Sequence, residues 1–308
     1  MSLEVFVLGT GGMMPLPHRF LTSVLVRRKG ELFLFDCGEG TQISLKKLNL
    51  RWKKISVILI SHTHADHVTG LPGILMLSSQ VERTEPLYII GPPKIKEYIE
   101  ATRQILDIYI NYEIIVKQVF TEGVVFNGAG YQIRAFALKH SKPCLGYTIE
   151  EDLRAGVFYP EKARALEIPR GPLWSQLQSG QEVKRADGTI VYAEQVMGPK
   201  RRGVKLGFVT DTLYSDTISS YVKQADLFFC EAMFTEDLLE SAQEKKHLTA
   251  RQAALIAKEA GVKSLALIHY SPRYTERELL QLKKEAQQVF ARVFLTKDRQ
   301  IIEVKNPE

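Results

Sequence analysis

Cysteine is scarce in this sequence, which has three cysteines among 308 residues, at positions 37, 144 and 230. Their odd number and wide spacing argue against a disulfide framework, and no two of them are close enough for a cysteine-based zinc site. Their surroundings are mostly apolar, as is typical of small residues that are buried in a core. We therefore assign the three cysteines to the core.

Long apolar runs are also missing. No segment approaches the roughly 18 uninterrupted apolar residues that a membrane span needs, and the opening residues MSLEVFVLGTGG contain no basic leader followed by an apolar stretch. We therefore expect a cytoplasmic protein that has no membrane partner. The net charge of +6 and the pI near 9.0 favour a polyanionic partner such as nucleic acid, although solubility alone would also explain this excess.

Short apolar runs of strand length are abundant. They occupy residues 3–9, 22–27, 32–36, 55–61, 86–91, 131–139, 205–210, 226–230 and 264–268. Because amphipathic stretches with helical spacing separate several of them, the pattern predicts an α/β architecture. Capping boxes predict two helix starts, where Thr249 precedes Gln252 by three residues and Thr275 likewise precedes Glu278. Gly261 predicts the end of the first of these helices.

Residues 150–205 interrupt the alternation of strands and helices with Gly, Pro and scattered charges of both signs. The segment also contains Tyr159, Trp174 and several aliphatic residues, so it is better explained as a structured insertion that protrudes from the main body than as a linker. The chain has no short-period repeat and no low-complexity tract. We therefore predict one domain over residues 1–308, with an insertion at 150–205.

Polar side chains directly follow four of the apolar runs. His62 follows ISVILIS, His140 follows FALK, Asp211 follows KLGFVT and His269 follows SLALI. In open α/β sheets, ligands collect at the carboxyl ends of the strands, where loops line the space. We therefore expect these four side chains to meet at one edge.

The segment SHTHADH, residues 61–67, adds His64, Asp66 and His67 to this edge. Neutral imidazole suits zinc and similar cations, and a carboxylate can bridge two of them. A single histidine here would ordinarily cap the helix that starts near Val68 or lie satisfied in the core. Burying so many ionisable groups without an ion is expensive, however, so the cluster predicts two adjacent metal sites.

SHTHADH after an apolar strand is the signature of the metallo-β-lactamase superfamily, which this sequence resembles. A more detailed similarity, to the ribonuclease Z family, covers nearly the whole chain. It includes the blocks LGTGG, LFDCGEGTQ, FALKHS, GPLWSQLQSG, FVTDT, CEAMF, HLTARQAA and LIHYSPRY. The resemblance implies an αββα sandwich, in which two mixed β-sheets are flanked by helices and the metals lie at the edge where the strands end.

The resemblance also implies two Zn²⁺ per subunit, although other divalent metals can occupy such a site. The ligands that it implies are His62, His64 and His140 for one ion, Asp66, His67 and His269 for the other, and Asp211 as the bridge between them.

Cleavage of a phosphodiester needs an activated water, neutralised phosphoryl oxygens and a proton for the leaving alkoxide. Asp66, as a ligand and a neighbour of that water, is the candidate general base. The resemblance places His247 near the leaving group and Glu231 beside it, where the carboxylate would orient the imidazole and raise its pKa. The alternative for His247 is a surface histidine in the charged loop QEKKHLT.

Further polar residues are candidates for supporting roles. Asp36 and Glu39 could accept hydrogen bonds from ligand imidazoles, although Asp36 could instead cap a turn. Arg273 could hold a phosphate or form a surface ion pair. Two blocks depart from the family pattern. The segment PLPHRF keeps Arg19 where many bacterial relatives have PxKxRN, and CEAMF keeps Glu231 where they have His-Glu-Ala-Thr.

The insertion contains more Lys and Arg than Asp and Glu, which suits an arm that binds a nucleic acid backbone. The resemblance implies that this arm, with Gly171 and Pro172 among its substrate-binding residues, holds the body of a tRNA, often on the partner subunit of a homodimer. Arg19 and Arg273 are the other candidate substrate-binding residues. The alternative is a lid over a small-molecule pocket.

The resemblance therefore predicts a zinc-dependent endoribonuclease that removes the 3′ trailer of precursor tRNA, leaving a 3′-hydroxyl on the tRNA and a 5′-phosphate on the trailer. One alternative is another binuclear-zinc phosphodiesterase or an arylsulfatase-like hydrolase that acts on small molecules. The other is a noncatalytic RNA-binding module, which the complete ligand set argues against, because a structural zinc site is closed.

Overall fold

The computed structural model describes residues 3–307. Contacts divide these residues into two compact units. The first unit comprises residues 3–150 and Val204–Lys305, and the second comprises Glu151–Gly203 with Asn306 and Pro307.

Seven strands form one sheet of the first unit: β1 (Leu3–Gly9), β2 (Ser23–Arg28), β3 (Glu31–Phe35), β4 (Ile55–Leu59), β5 (Leu87–Gly91), β6 (Ile114–Gln118) and β16 (Ile301–Val304). Their order across the sheet is β16-β1-β2-β3-β4-β5-β6. The pairs from β16 to β3 are antiparallel, whereas β3, β4, β5 and β6 run parallel to one another. The loops after β4, β5 and β6 therefore leave the sheet at the same edge.

The other sheet of this unit also has seven strands: β7 (Gly123–Gly128), β8 (Tyr131–Leu138), β9 (Cys144–Glu151), β12 (Lys205–Val209), β13 (Leu227–Glu231), β14 (Leu265–Ile268) and β15 (Val293–Leu295). Their order is β15-β14-β13-β12-β9-β8-β7. The strands from β12 to β15 are parallel, while β9 is antiparallel to β12 and β7 to β8. Both sheets are therefore mixed.

Strands β1 to β5 and β12 to β14 are buried on both faces, which explains why they are almost continuously apolar. Along β13, Leu227 and Phe229 join a core that also contains residues of the first sheet. The alternate residues Phe228 and Cys230 pack instead against helices outside the second sheet. All three cysteines are buried, as predicted.

Helices cover the outer faces of the sheets. They are α1 (Thr41–Lys47), α2 (Ala65–Val68), α3 (Leu71–Gln80) and α4 (Ile95–Ile105) in the first half of the chain, and α8 (Thr217–Tyr221), α9 (Leu239–Lys245), α10 (Ala250–Ala260) and α11 (Leu279–Gln287) in the second. The predicted sandwich of two mixed sheets flanked by helices is thus confirmed. No helix within residues 3–307 has both the length and the apolar character needed to cross a membrane.

One of the two predicted helix starts is confirmed. Thr249 and Gln252 form a reciprocal capping box at the start of α10, and Gly261 ends this helix with a φ of 62°. The prediction that a helix starts at Thr275 is wrong, because α11 begins at Leu279. The reciprocal contacts of the predicted box are present: the Thr275 N–H donates to Glu278 Oε2 at 2.8 Å, and the Glu278 N–H donates to Thr275 Oγ1 at 3.4 Å. They close a turn that precedes the helix.

The second unit has its own small core. It contains α5 (Pro160–Ala165), α6 (Pro172–Gln178), α7 (Ala193–Val196) and the hairpin of β10 (Val183–Lys184) and β11 (Ile190–Val191). The Trp174 Nε1–H donates to the Ile168 carbonyl at 3.0 Å, and the indole ring packs against Phe158. Gly171 immediately precedes α6 and Pro172 is its first residue.

Candidate metal centre

Seven ionisable side chains meet at the edge where strands of both sheets end. His62, His64, Asp66 and His67 follow β4, while His140, Asp211 and His269 follow β8, β12 and β14. Their nitrogen and oxygen atoms fall into groups in which all atoms lie within 4.8 Å of one another. The structure therefore brings together every residue that the sequence placed at a strand end.

The first group consists of three imidazole nitrogens and one carboxylate oxygen. His64 Nδ1 lies 2.9 Å from His62 Nε2 and 3.2 Å from His140 Nε2. Asp211 Oδ2 lies 3.6 Å from His62 Nε2 and 3.7 Å from His140 Nε2. This combination of nitrogen and carboxylate donors is typical of zinc sites.

The second group lies on the other side of the Asp211 carboxylate. Asp66 Oδ2 is 3.5 Å from His67 Nε2 and 3.3 Å from His269 Nε2. Asp211 Oδ1 is 3.4 Å from His67 Nε2 and 3.2 Å from His269 Nε2. The two oxygens of Asp211 thus face two different groups, which is the arrangement that a bridging carboxylate requires.

The chemistry of these donors fits divalent metal. Three buried atoms, His67 Nε2, Asp211 Oδ1 and His269 Nδ1, make no hydrogen bond to any part of the chain that the structure describes. Buried polar atoms without partners are rare because they are costly. A cation shared by His67 Nε2 and Asp211 Oδ1 would satisfy both atoms.

The electrostatics favour neutral imidazoles in the first group and a charged Asp211. Burial lowers the pKa of His62 well below its usual value, and burial is also the main cause that lowers the pKa of His64 and His140. These imidazoles are therefore neutral, as metal ligands must be. Burial opposes ionisation of Asp211, but the imidazoles around it, His269 foremost, hold its pKa well below the usual range. The bridging carboxylate is therefore charged. At His67, burial opposes the charged form, but Asp36 and the other carboxylates beside it raise its pKa well above the usual value.

Asp36 positions the SHTHADH segment from behind. Its Oδ2 lies 2.6 Å from His67 Nδ1 and accepts from the Ser61 hydroxyl at 2.8 Å, while its Oδ1 accepts from the Ser61 N–H at 2.7 Å. Ser61 Oγ in turn lies 3.1 Å from His62 Nδ1. Such partners fix the tautomer and orientation of ligand imidazoles. Glu39, the other candidate for this role, is exposed. Its backbone carbonyl accepts a hydrogen bond from the Leu21 N–H.

Several supporting groups were missed in the sequence. The Met13 N–H donates to Asp66 Oδ2 at 2.7 Å, and the Lys246 carbonyl lies 3.0 Å from His140 Nδ1. A Cβ atom on Gly12 would lie 2.6 Å from the His269 ring, so the loop approaches this ligand only because residue 12 is glycine. The glycine pair in LGTGG could have indicated this close approach. Backbone donors and acceptors, by contrast, leave no signal in the sequence.

His247 and Glu231 form a pair that adjoins Asp211 and His269, and one atom from each of these four residues falls within the same 4.8 Å limit. Glu231 Oε2 lies 2.9 Å from His247 Nδ1, and Glu231 Oε1 accepts from the Thr212 N–H at 2.8 Å. The His247 side chain is only 12% exposed, so it is not a surface histidine. Burial disfavours its charged form, but the Glu231 carboxylate outweighs burial and raises the pKa of His247 to about 9.

The two candidate arginines differ in accessibility. Arg273 is exposed, with its guanidinium 4.8 Å from the centre of the Phe234 ring and its Nε donating to Ser271 Oγ at 3.0 Å. Arg19 is buried, and it donates to the Ser271 carbonyl and pairs with Glu276 at 2.7 Å. These contacts favour a structural role for Arg19 and leave Arg273 available to a substrate.

Comparisons with known proteins identify the family and the fold. A family model described as Anti-Pycsar protein Apyc1 matches residues 3–153. The chain is 61% identical to the Ribonuclease Z of Treponema denticola over 305 residues, which are 99% of each chain. It is similar to the crystal structure of human tRNase Z, short form, with a TM-score of 0.71 and 25% identity over 98% of this chain and 99% of that one.

The fold has a further match in the metallo-β-lactamase fold protein YhfI from Bacillus subtilis. The TM-score is 0.69, with 20% identity over 98% of this chain and 100% of that one, so the likeness shows the fold alone. The relative that is 61% identical shows the family of this chain, because that similarity extends over almost the whole of both chains. The chain belongs to the ribonuclease Z family and has the metallo-β-lactamase fold.

Proposed function

We propose that this protein is a metal-dependent endoribonuclease that removes the 3′ trailer of precursor tRNA. A water attacks the phosphodiester, which leaves a 3′-hydroxyl on the tRNA and a 5′-phosphate on the trailer. The observation that carries the proposal is the full-length identity of 61% to a Ribonuclease Z. This identity does not favour the alternative, a hydrolase that acts on small molecules.

The centre would hold two Zn²⁺ per subunit. Two observations support this number and this metal: each oxygen of Asp211 faces a separate group of donors, and most of the donors are imidazole nitrogens. The proposed ligands are His62, His64 and His140 on one side, Asp66, His67 and His269 on the other, and Asp211 between them. Bound zinc would make a water acidic enough to ionise near pH 7 and would neutralise the phosphoryl oxygens.

Asp66 is the proposed general base. Its side chain is 12% exposed, whereas the side chains of His67 and His269 in the same group are 0% exposed. Asp66 therefore presents its carboxylate to an incoming water, while the Met13 N–H and His269 fix its orientation. A proton taken from the water at Asp66 leaves the nucleophile beside the phosphorus.

His247 is the proposed general acid. Glu231 holds Nδ1 of the imidazole, so Nε2 remains to donate a proton to the alkoxide that leaves with the tRNA. The Thr212 N–H fixes Glu231 in turn, which keeps the pair in one orientation. Proton donation from a group positioned in this way typically contributes a factor of about 10² to 10⁴ to the rate.

The insertion is the proposed tRNA-binding arm, and its basic character supports this role. Glu151–Gly203 contains nine Lys and Arg against seven Asp and Glu. Contacts from such an arm to phosphates would position the tRNA body by shape, with little dependence on sequence. Gly171 and Pro172 are proposed contact residues on this arm, and Arg273 is a proposed phosphate contact near the centre.

We also propose that the protein is a homodimer and that it acts in the cytoplasm. On and just after α4, Ile105, Leu106 and Tyr109 are 77%, 58% and 78% exposed. A surface of this kind suits contact with a second copy of the chain, because apolar side chains clustered in solvent are typical of interfaces.

A direct assay tests the function. The purified protein is incubated with a labelled precursor tRNA and with a chromogenic phosphodiester, each with and without a chelator, and the cut is mapped. We expect one cut at the start of the trailer, with the stated end groups, and loss of cleavage in the chelator. Cleavage of the chromogenic ester alone would support the small-molecule hydrolase.

A further inference from the structure

A groove that none of the proposed roles uses opens at the same edge of the sheets as the metal centre. Its volume is about 510 Å³, and its lining includes Pro92, Phe120, Leu138 and Pro143. Pro92 directly follows β5, Phe120 lies two residues after β6, and Leu138 ends β8. We call this the Phe120 groove.

The Phe120 groove lies next to the metal centre. Leu138 precedes His140 by two residues, and the N–H of Leu145, which also lines the groove, donates to the Ser61 carbonyl at 2.9 Å. Lys142 Nζ donates to the carbonyl of Thr63, between His62 and His64, at 3.3 Å. A strand cut at the centre would therefore have the groove directly beside it.

The groove has the two features that bind single-stranded nucleic acid. One is an aromatic ring in solvent, since Phe120 is 74% exposed and presents a face on which a base can stack. The other is positive charge beside the groove. Lys94, Lys139 and Lys142 are exposed and lie next in sequence to the lining residues Pro93, Leu138 and Pro143. Within residues 3–307 none of the three forms an ion pair, so their charges are available to phosphates.

One acidic residue, Glu122, also lines the groove and indicates the orientation of a bound strand. One of its oxygens accepts from the Ala137 N–H at 3.0 Å and the other from the Tyr221 hydroxyl. Its charge repels phosphate at this end of the groove. A strand would therefore place a base near Phe120 and its phosphates near Lys142.

We propose that the Phe120 groove binds the single-stranded 3′ trailer of the precursor, with one base stacked on Phe120 and the adjoining phosphates beside Lys142. This inference rests on the proposed function and adds a subsite for the trailer, the strand that carries the 5′-phosphate after the cut. Phe120 is then a substrate-positioning residue that the mature tRNA product, which has no trailer, does not contact.

Removal of single bases from the trailer, with its backbone left intact, tests the proposal. Precursors that carry one abasic nucleotide at successive trailer positions are cleaved by the wild type, Phe120→Ala and Phe120→Tyr. We expect Phe120→Ala to lower kcat/KM on the intact precursor by roughly ten-fold and Phe120→Tyr to keep it, since stacking depends on the ring. At one trailer position, loss of the base should lower the kcat/KM of the wild type by a similar factor and leave the kcat/KM of Phe120→Ala unchanged.

The controls separate this subsite from other effects. Phe120→Ala should keep the wild-type melting temperature, the turnover of a chromogenic phosphodiester and the inhibition constant of mature tRNA. Leu280→Ala, which truncates a 50% exposed apolar side chain on α11, should leave kcat/KM on the precursor unchanged. The trailer subsite would be overturned by equal kcat/KM values for the wild type and Phe120→Ala on the intact precursor. It would also be overturned if, at every position, an abasic nucleotide lowered the kcat/KM of both enzymes by the same factor. A wild type that cuts no precursor would instead overturn the proposed function.

Discussion

At the scale of single residues, the centre depends on carboxylates that hold imidazoles in place. Asp211 divides its two oxygens between two groups of donors, and Asp36 supports His67 from the opposite side of the ring. Glu231 does the same for His247. Each of these carboxylates is buried, so removing one would leave an imidazole without its partner.

The Asp36 contact is expected to tune metal affinity. Replacing Asp36 by Ala removes the acceptor from His67 Nδ1 and from Ser61, and loss of such a partner typically weakens metal binding by about 10- to 100-fold. Competition with a chromophoric chelator measures this affinity. Asp36→Asn, which keeps an oxygen for the Ser61 N–H, should lose less, and an unchanged affinity in Asp36→Ala would contradict this role.

The His247 side chain is expected to act on the rate and not on metal binding. His247→Ala should lower kcat for precursor cleavage by roughly 10²- to 10⁴-fold while the bound metal per chain stays at the wild-type level. Lys245→Ala, two residues away at the end of α9, serves as the matched control and should keep full turnover. Full turnover in His247→Ala with metal bound would exclude the general-acid assignment.

At the scale of elements, the helix after His247 is set by its cap. The Gln252 N–H donates to the Thr249 hydroxyl at 3.2 Å, and the Gln252 side chain accepts from the Thr249 N–H at 3.0 Å. Because α10 begins within three residues of His247, this cap also fixes the loop that carries the proposed acid.

Thr249→Ala is expected to lower the free energy of unfolding by about 1 kcal/mol, the usual cost of losing an N-cap side chain. Urea denaturation measures this loss. The matched variant Thr275→Ala should cost less, because the exposed Thr275 closes a turn before α11 instead of capping its first residue. An equal cost in both variants would contradict this distinction.

Most of the strands that sequence patterns predicted have both faces buried; β8, which exposes Arg134 and Ala137, is an exception. The predicted run at 3–9 coincides with β1, and the eight other predicted runs each match a strand to within a few residues. The short strand β15 and the edge strands β6, β7 and β16 went unpredicted. β6 has no fully buried residue, so its hydrophobic signal is weak. β9 is mostly buried but interrupts its apolar residues with Gly146 and Thr148.

The site was predictable where side chains mark it. His62, His140, Asp211 and His269 each follow a strand, and parallel strands bring such positions together. Ser61 and the Met13 N–H could not be predicted, since a serine or a backbone donor has no distinctive spacing. The roles of individual ligands come from the resemblance and remain proposals.

At the scale of the whole molecule, the proposed function depends on assembly as well as on the centre. The resemblance implies that the arm of one subunit serves the partner subunit. The exposed apolar residues of α4 and the loop after it are the surface on which we expect a second copy to pack.

Replacing Leu106 by Glu is expected to break the dimer, because it places a charge within this apolar surface. Light scattering after size exclusion should give twice the chain mass of 34.9 kDa for the wild type and the chain mass itself for the variant. Leu280→Glu, on a similarly exposed position of α11, should remain dimeric. A monomeric wild type, or a dimeric Leu106→Glu, would contradict the assignment.

The central claim is that two ions share the carboxylate of Asp211. Anomalous diffraction at the zinc edge, from crystals grown with zinc, tests it most directly. We expect two peaks, one among His62, His64 and His140 and one among Asp66, His67 and His269, each bonded to a different oxygen of Asp211. A single peak, or two peaks that do not share Asp211, would contradict the account.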